Sequence, residues 1–110
     1  MRITLGITLF LGLVLFSCNK PPEACITTSN ESPAVGTEVE LSATCSEKAK
    51  SYIWSFEGPS SSIYNNIQRS EQVIMIAFDT AGTYTVTLDV FKEFSWLGES
   101  ASTQTTLTVN

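Results

Sequence analysis

Residues 82 to 90 alternate without a break. Tyr84, Val86, Leu88 and Val90 fall on one side of an extended chain, and Thr83, Thr85, Thr87 and Asp89 on the other. Side chains of a strand point to opposite faces with period 2, so this stretch is a strand with one buried and one wet face. β-branched and aromatic residues fill it, as a half-buried pleated surface favours. Asp79-Thr80-Ala81-Gly82 forms the tight corner that feeds it. Everything else must supply strands that cover its apolar face.

Those strands can be read in order. A short one lies near Ala24 to Thr28. A polar loop leads from Ser29 through Pro33 to Gly36. Glu38 to Thr44 follows, with Val39, Leu41 and Ala43 inward. Ser51 to Phe56 puts Tyr52, Trp54 and Phe56 on one face, and Gly58-Pro59-Ser60 ends it. Ile63 to Glu71 is the least patterned stretch, an irregular crossover with at most one short edge strand. Gln72 to Phe78 turns Ile74, Ile76 and Phe78 inward. The central strand runs on through Phe91 towards Phe94 or Trp96, Leu97-Gly98-Glu99 turns the chain, and Ala101 to Val109 returns. No stretch outside the N-terminal segment has helical periodicity. About seven short strands with frequent turn signals predict an all-β, antiparallel, immunoglobulin-like sandwich.

The N-terminal segment stands apart from this pattern. Arg2 precedes an apolar run from Ile3 to Phe16, too short for a membrane span and right for a signal-peptide core. Leu15-Phe16-Ser17-Cys18 resembles the lipobox of bacterial lipoproteins. The resemblance implies cleavage before Cys18 and lipid on its sulfur and amino group; the alternative is an ordinary secretory signal with a chance cysteine. Multiple acyl chains bury methylenes at about 0.8 kcal/mol each, which anchors a chain stably. The expected organisation is a signal peptide over 1–17, the lipidated cysteine and a proline-stiffened tether over 18–23, and a sandwich domain over 24–110. Asn19 is not the aspartate that resembles an inner-membrane retention signal. The expected address is therefore the outer membrane of a Gram-negative bacterium.

Cys25 and Cys45 then remain, an even count in an oxidising compartment. They are equidistant from Val35 in the Ser32–Gly36 turn, so an antiparallel pair centred there sets them opposite each other. A bridge closing about 20 residues contributes roughly 3 kcal/mol in the chain-entropy model. Ile26, rather than Cys25, is the natural inward residue, so a bulge has to shift the parity. Two buried thiols are the alternative.

Composition narrows the chemistry. Eleven acids against six bases give a net charge of −5 with no basic cluster, which disfavours nucleic acid as a partner. There is no histidine. The commonest general base and the commonest zinc ligand are therefore missing, and no metal, cofactor or catalytic residue is expected. Glu38 and Glu40 point outward from one strand as a solvated face, whereas glycosidase chemistry needs two carboxyls facing each other across a cleft.

Val39-Glu-Leu-Ser-Ala43, Ser51-Tyr-Ile-Trp-Ser-Phe56 and Phe78-Asp-Thr-Ala-Gly-Thr-Tyr-Thr-Val-Thr-Leu88 together resemble a PKD domain over about residues 22 to 110. The family's aspartate after the tryptophan is Ser55 here, and its Gly-Asp-Gly is Glu57-Gly58-Pro59. The resemblance implies a non-catalytic extracellular module that acts as a spacer or contacts protein or glycan. Fold does not settle function, so contact residues have to be sought. Phe94, Trp96 and Leu97 beside Gly98 are candidates, because an apolar aromatic tip stacks on sugar rings or anchors an interface. Tyr64, with Asn65 and Asn66, can extend such a surface. Asp79-Thr80-Ala81 also resembles a short O-glycosylation pattern of some Bacteroidota envelope proteins. The expected role is a lipid-anchored envelope module contacting protein or polysaccharide; the alternative is a structural lipoprotein without a soluble ligand.

Overall fold

Seven strands follow one another: β1 (Thr27–Thr28), β2 (Glu38–Ser42), β3 (Ser51–Glu57), β4 (Gln68–Arg69), β5 (Val73–Ala77), β6 (Gly82–Phe91) and β7 (Ser100–Val109). They come from a computed structural model that describes residues 21–65, 67–93 and 98–110. One sheet has the order β1-β2-β5 and the other β4-β3-β6-β7, all neighbours antiparallel. The alternating stretch is β6, paired with β3 on one side and β7 on the other. As a strand it ends at Phe91, opposite Ser51 on β3 and Ser100 on β7, and the expected continuation to Phe94 or Trp96 lies outside the described residues.

The inward residues fill the space between the sheets. Val39, Leu41, Ala43, Ile74, Ile76 and Phe78 meet Trp54, Phe56, Tyr84, Val86, Leu88, Val90, Leu107 and Val109, all buried. Tyr52 differs from its expected place. It is half-buried at the rim, and its hydroxyl accepts from Gln72 Nε2 at 3.1 Å. Two buried aromatics need polar partners, and both find backbone carbonyls. Trp54 Nε1 donates to Glu71 O at 2.7 Å, tying β3 to the crossover that leads into β5. Tyr84 donates to Thr80 O at 2.7 Å and so fastens the start of β6 to the corner before it. A tyrosine bonding back a few residues at this point is a recurrent device of immunoglobulin-like sandwiches.

Gly58 and Gly82 interlock at the same corner. A Cβ on Gly58 would collide with the Tyr84 ring, and one on Gly82 would come within 2.6 Å of Pro59 Cγ. Gly82 also holds φ +144, a conformation that side chains rarely adopt. The Glu57-Gly58-Pro59 turn therefore packs on the corner through shape.

Cys25 and Cys45 form a disulfide with Cα atoms 5.4 Å apart. The parity conflict seen in the sequence is resolved by a one-residue slip. Thr27 pairs with Ser42 and Thr28 with Leu41, whereas the bridge beyond the cysteines joins Glu23 to Glu47. The stretch 43–46 thus holds one residue more than the strand opposite it. Ser46 fills the gap: its hydroxyl accepts from Cys25 N at 3.0 Å and donates to Cys25 O at 3.1 Å. This explains why β1 is two residues long. Ala24 and Ile26 pack on the core, and the disulfide lies outside it rather than as buried thiols.

Replacing Tyr84 with Phe leaves Thr80 O without its donor and should cost about 1–2 kcal/mol. Thermal unfolding by circular dichroism should then show a melting temperature lower by roughly 4–16 °C. Replacing both Cys25 and Cys45 with Ala releases the 20-residue loop. The same measurement should show a loss of roughly 3 kcal/mol with the β spectrum retained below the transition.

Candidate functional site

The registers place three surfaces. Ser51, Phe91 and Ser100 mark one end of the sandwich, and the 21–25 and 43–50 segments run to that end. Phe78, the 31–36 loop and Asn110 meet at the other, through Gly36 N to Phe78 O and Val35 N to Asn110 O, both 2.9 Å. Between the ends lies the outward face of the four-stranded sheet.

At the first end stands the base of the β6–β7 hairpin. Lys92 N donates to Glu99 O at 3.0 Å, and Lys92 Nζ pairs with Glu99 Oε1 at 3.4 Å. Ser51 Oγ donates to Glu93 O at 2.6 Å. Gly98 takes φ +82 as the turn closes. A shallow depression of about 280 Å³ is lined by Lys48, Ala49, Lys50, Lys92 and Glu93. Phe94, Trp96 and Leu97, the tip candidates, lie outside the described residues.

Tyr64 belongs to the opposite end. Its ring sits 5.5 Å from that of Phe78 and 5.9 Å from that of Phe56, half-buried on the core. Asp79 holds it there. The carboxylate accepts from Ser62 Oγ at 2.8 Å, from Ile63 N at 3.1 Å and from Thr80 Oγ1 at 3.1 Å, while Tyr64 N donates to Ser62 Oγ at 3.2 Å. Desolvation pushes the Asp79 carboxyl up, but the bonds from Ser62, Ile63 N, its own backbone and Thr80 together hold it below the ordinary 3.8. Asp79 is thus a turn-fastening residue, and the Thr80 hydroxyl is engaged with it. Tyr64 and the hairpin base do not form one surface.

The side face was not legible as a site in the sequence. Cross-strand rows there are largely polar. Gln68, Ser55, Thr87 and Gln104 form one row across all four strands, and Ile53, Asp89 and Ser102 the next. Strands lie about 4.8 Å apart, so the four-strand row spans roughly 14 Å. Gln104 Nε2 donates to Thr87 Oγ1 at 3.1 Å, which orients one amide across the two strands. Two shallow depressions adjoin across β3, one of about 250 Å³ at Ser55, Glu57 and Thr87, the other of about 230 Å³ at Ile53, Gln68, Arg69 and Ser70. Ile53 and Phe91 are the half-exposed apolar groups of this face. Hydroxyls and amides beside small apolar areas suit a neutral, hydroxyl-rich ligand. Glu38 and Glu40 lie on the other sheet, exposed beside Ala77 and Met75. Among the described residues no three His, Cys, Asp or Glu side chains gather as metal ligands.

The profile of the PKD domain matches residues 24–109. The chain belongs to the PKD family. One similar solved structure is described as "Structural basis for the promiscuous specificity of the carbohydrate-binding modules from the beta-sandwich super family". It shares 27% identity at a TM-score of 0.66, over 83% of this chain. This chain covers 35% of that one, about a third of its length. A comparison with curated proteins finds no match. In this PKD domain Ser55 stands where the family has aspartate, and its hydroxyl joins the polar row. Only strand register brings Gln68 and Gln104 into line with it, and register is what a single strand's pattern cannot supply.

The Asp79 network gives a pH test. A carboxyl held low in the folded state contributes stability that is present above its unfolded value and lost as pH falls through the folded one. A carbon-13 NMR titration should place Asp79 below an ordinary aspartate, and Ser62→Ala should raise it.

Proposed function

We propose that this PKD domain is a lipid-anchored, non-catalytic interaction module of the bacterial cell envelope that contacts polysaccharide. The observation that carries the reading is the hydroxyl–amide row on the four-stranded sheet, in a chain similar to a structure concerned with carbohydrate-binding modules. Gln68 and Gln104 each offer donor and acceptor to neighbouring sugar hydroxyls, and Ser55 and Thr87 supply hydroxyls between them. Ile53 and Phe91 provide apolar contact for sugar ring faces. Such an open sheet face suits lateral contact with a chain, whereas glycoside hydrolysis needs two carboxyls that flank a bond across a cleft.

Anchoring at Cys18 sets the orientation. Four residues separate it from Glu23, a reach of at most about 18 Å of extended chain. Glu23 is paired to Glu47 at the hairpin-base end. That end then faces the bilayer, the Tyr64 end points away, and the sheet face stands at the side, free for an extended polymer. The proposed address is the outer membrane.

A soluble fragment, Asn19–Asn110, should bind saturably to at least one polysaccharide of a broad panel in affinity electrophoresis. Gln104→Ala combined with Gln68→Ala should weaken that binding by about tenfold or more, the loss of roughly two net hydrogen bonds. Trp96→Ala tests the contact candidate read from the sequence in the same assay. Retained binding in the double glutamine variant would remove the sheet face as the site. Mass spectrometry of the membrane form should find the mature chain beginning at an acylated Cys18.

A further inference from the structure

We infer that β5 is a homodimerisation edge, at which two copies of this chain join into one six-stranded sheet. β5 ends its sheet, with β2 on one side and no strand on the other. Ala43 N donates to Gln72 O and Gly36 N to Phe78 O, both at 2.9 Å. Even-numbered residues therefore turn their backbone groups towards β2. Alternation then turns the N–H and C=O groups of Val73, Met75 and Ala77 to the open side. Among the described residues no backbone group is bonded to them there.

The other edges are managed. β1 and β4 have two residues each. β7 is long, but its outward side chains are Ser, Gln and Thr, and the 31–35 loop caps its end through Thr108 N to Glu31 O at 3.0 Å and Asn110 N to Pro33 O at 2.9 Å. β5 reads Val-Ile-Met-Ile-Ala, without a charge or proline to blunt it. Val73 and Met75 are 39% and 48% exposed.

A second copy fits this edge because the free groups are symmetric about Met75. A two-fold axis there pairs Val73 with Ala77 of the second copy and Met75 with its own counterpart. All three pairs fall in the hydrogen-bonded class, with two bonds each. The same register stacks Met75 on Met75 and Val73 on Ala77 across the outer face, covering the exposed apolar side chains. Such a contact is isologous and closes on itself, and the short β1 edge does not propagate it. The net charge of −5 makes the copies repel, so association strengthens with salt. The dimer leaves the four-stranded sheet free, so it stands independently of the glycan reading.

Segment 21–110 holds the seven strands of the described residues, the core and the disulfide, so Asn19–Asn110 serves for the test. Wild type should sediment as a concentration-dependent dimer, more so in salt, and Met75→Lys as a monomer with the melting temperature retained. Under mild oxidation Met75→Cys should form a linked dimer at least about tenfold faster than Val73→Cys, because hydrogen-bonded partners lie about 5.5 Å apart and the two Val73 positions are offset by four residues. A wild type monomeric up to millimolar concentration, equal linking of the two cysteine variants, or a dimer that survives Met75→Lys would overturn the inference. So would a monomer whose residues 73, 75 and 77 gain hydrogen-exchange protection only with an unrelated extended peptide, which would assign the edge to a foreign strand.

Discussion

Trp54 is the group on which the sandwich depends. It is fully buried between the sheets, and burial would be costly if its indole N–H were left without a partner. Glu71 O supplies that partner at 2.7 Å. The two sheets share no ladder, so the domain is held by side chains between them and by the segments that cross from one to the other. The Trp54 bond fixes the crossover between β4 and β5 while its ring fills the middle of the core. Truncating such a side chain costs about 3–5 kcal/mol, a large part of a domain stability of about 5–15 kcal/mol.

At the end opposite the base of the β6–β7 hairpin a second arrangement does similar work on a smaller scale. Tyr84 bonds to Thr80, Gly58 lies flat on the Tyr84 ring, and Gly82 leaves room for Pro59. Asp79 then fastens Ser62 and Ile63, which hold Tyr64 against Phe56 and Phe78. The polar residues of this end are spent on the fold. By contrast, the outward face of β3, β6 and β7 keeps hydroxyls and amides that no strand or loop among the described residues covers. That contrast supports the proposed ligand surface on the sheet rather than at the corner.

Much of this could be read from the chain because period 2 is a strong signal. The inward parity of Val39, Trp54, Ile74 and Tyr84 follows from alternation alone, and all are buried. The pairing of Cys25 with Cys45 also followed from position, together with the parity shift that Ile26 demanded. What lay beyond reach depended on register and on single side-chain bonds. Ser46 is an ordinary loop serine in sequence; in the fold its hydroxyl stands in for a missing ladder partner of Cys25. Gln68 and Gln104 are 36 positions apart and meet in one row only because β4, β3, β6 and β7 pair as they do. Tyr64 has the composition of a surface contact, yet Asp79, 15 positions later, turns it onto the core.

The most direct measurement is an amide NMR titration of Asn19–Asn110 with a polysaccharide oligomer selected for binding. If the sheet face is the contact surface, shifts concentrate on Ser55, Gln68, Thr87 and Gln104 and spare the Tyr64 end. Shifts confined to Tyr64 and its neighbours, or to residues 92–99 with the sheet face silent, would contradict the account.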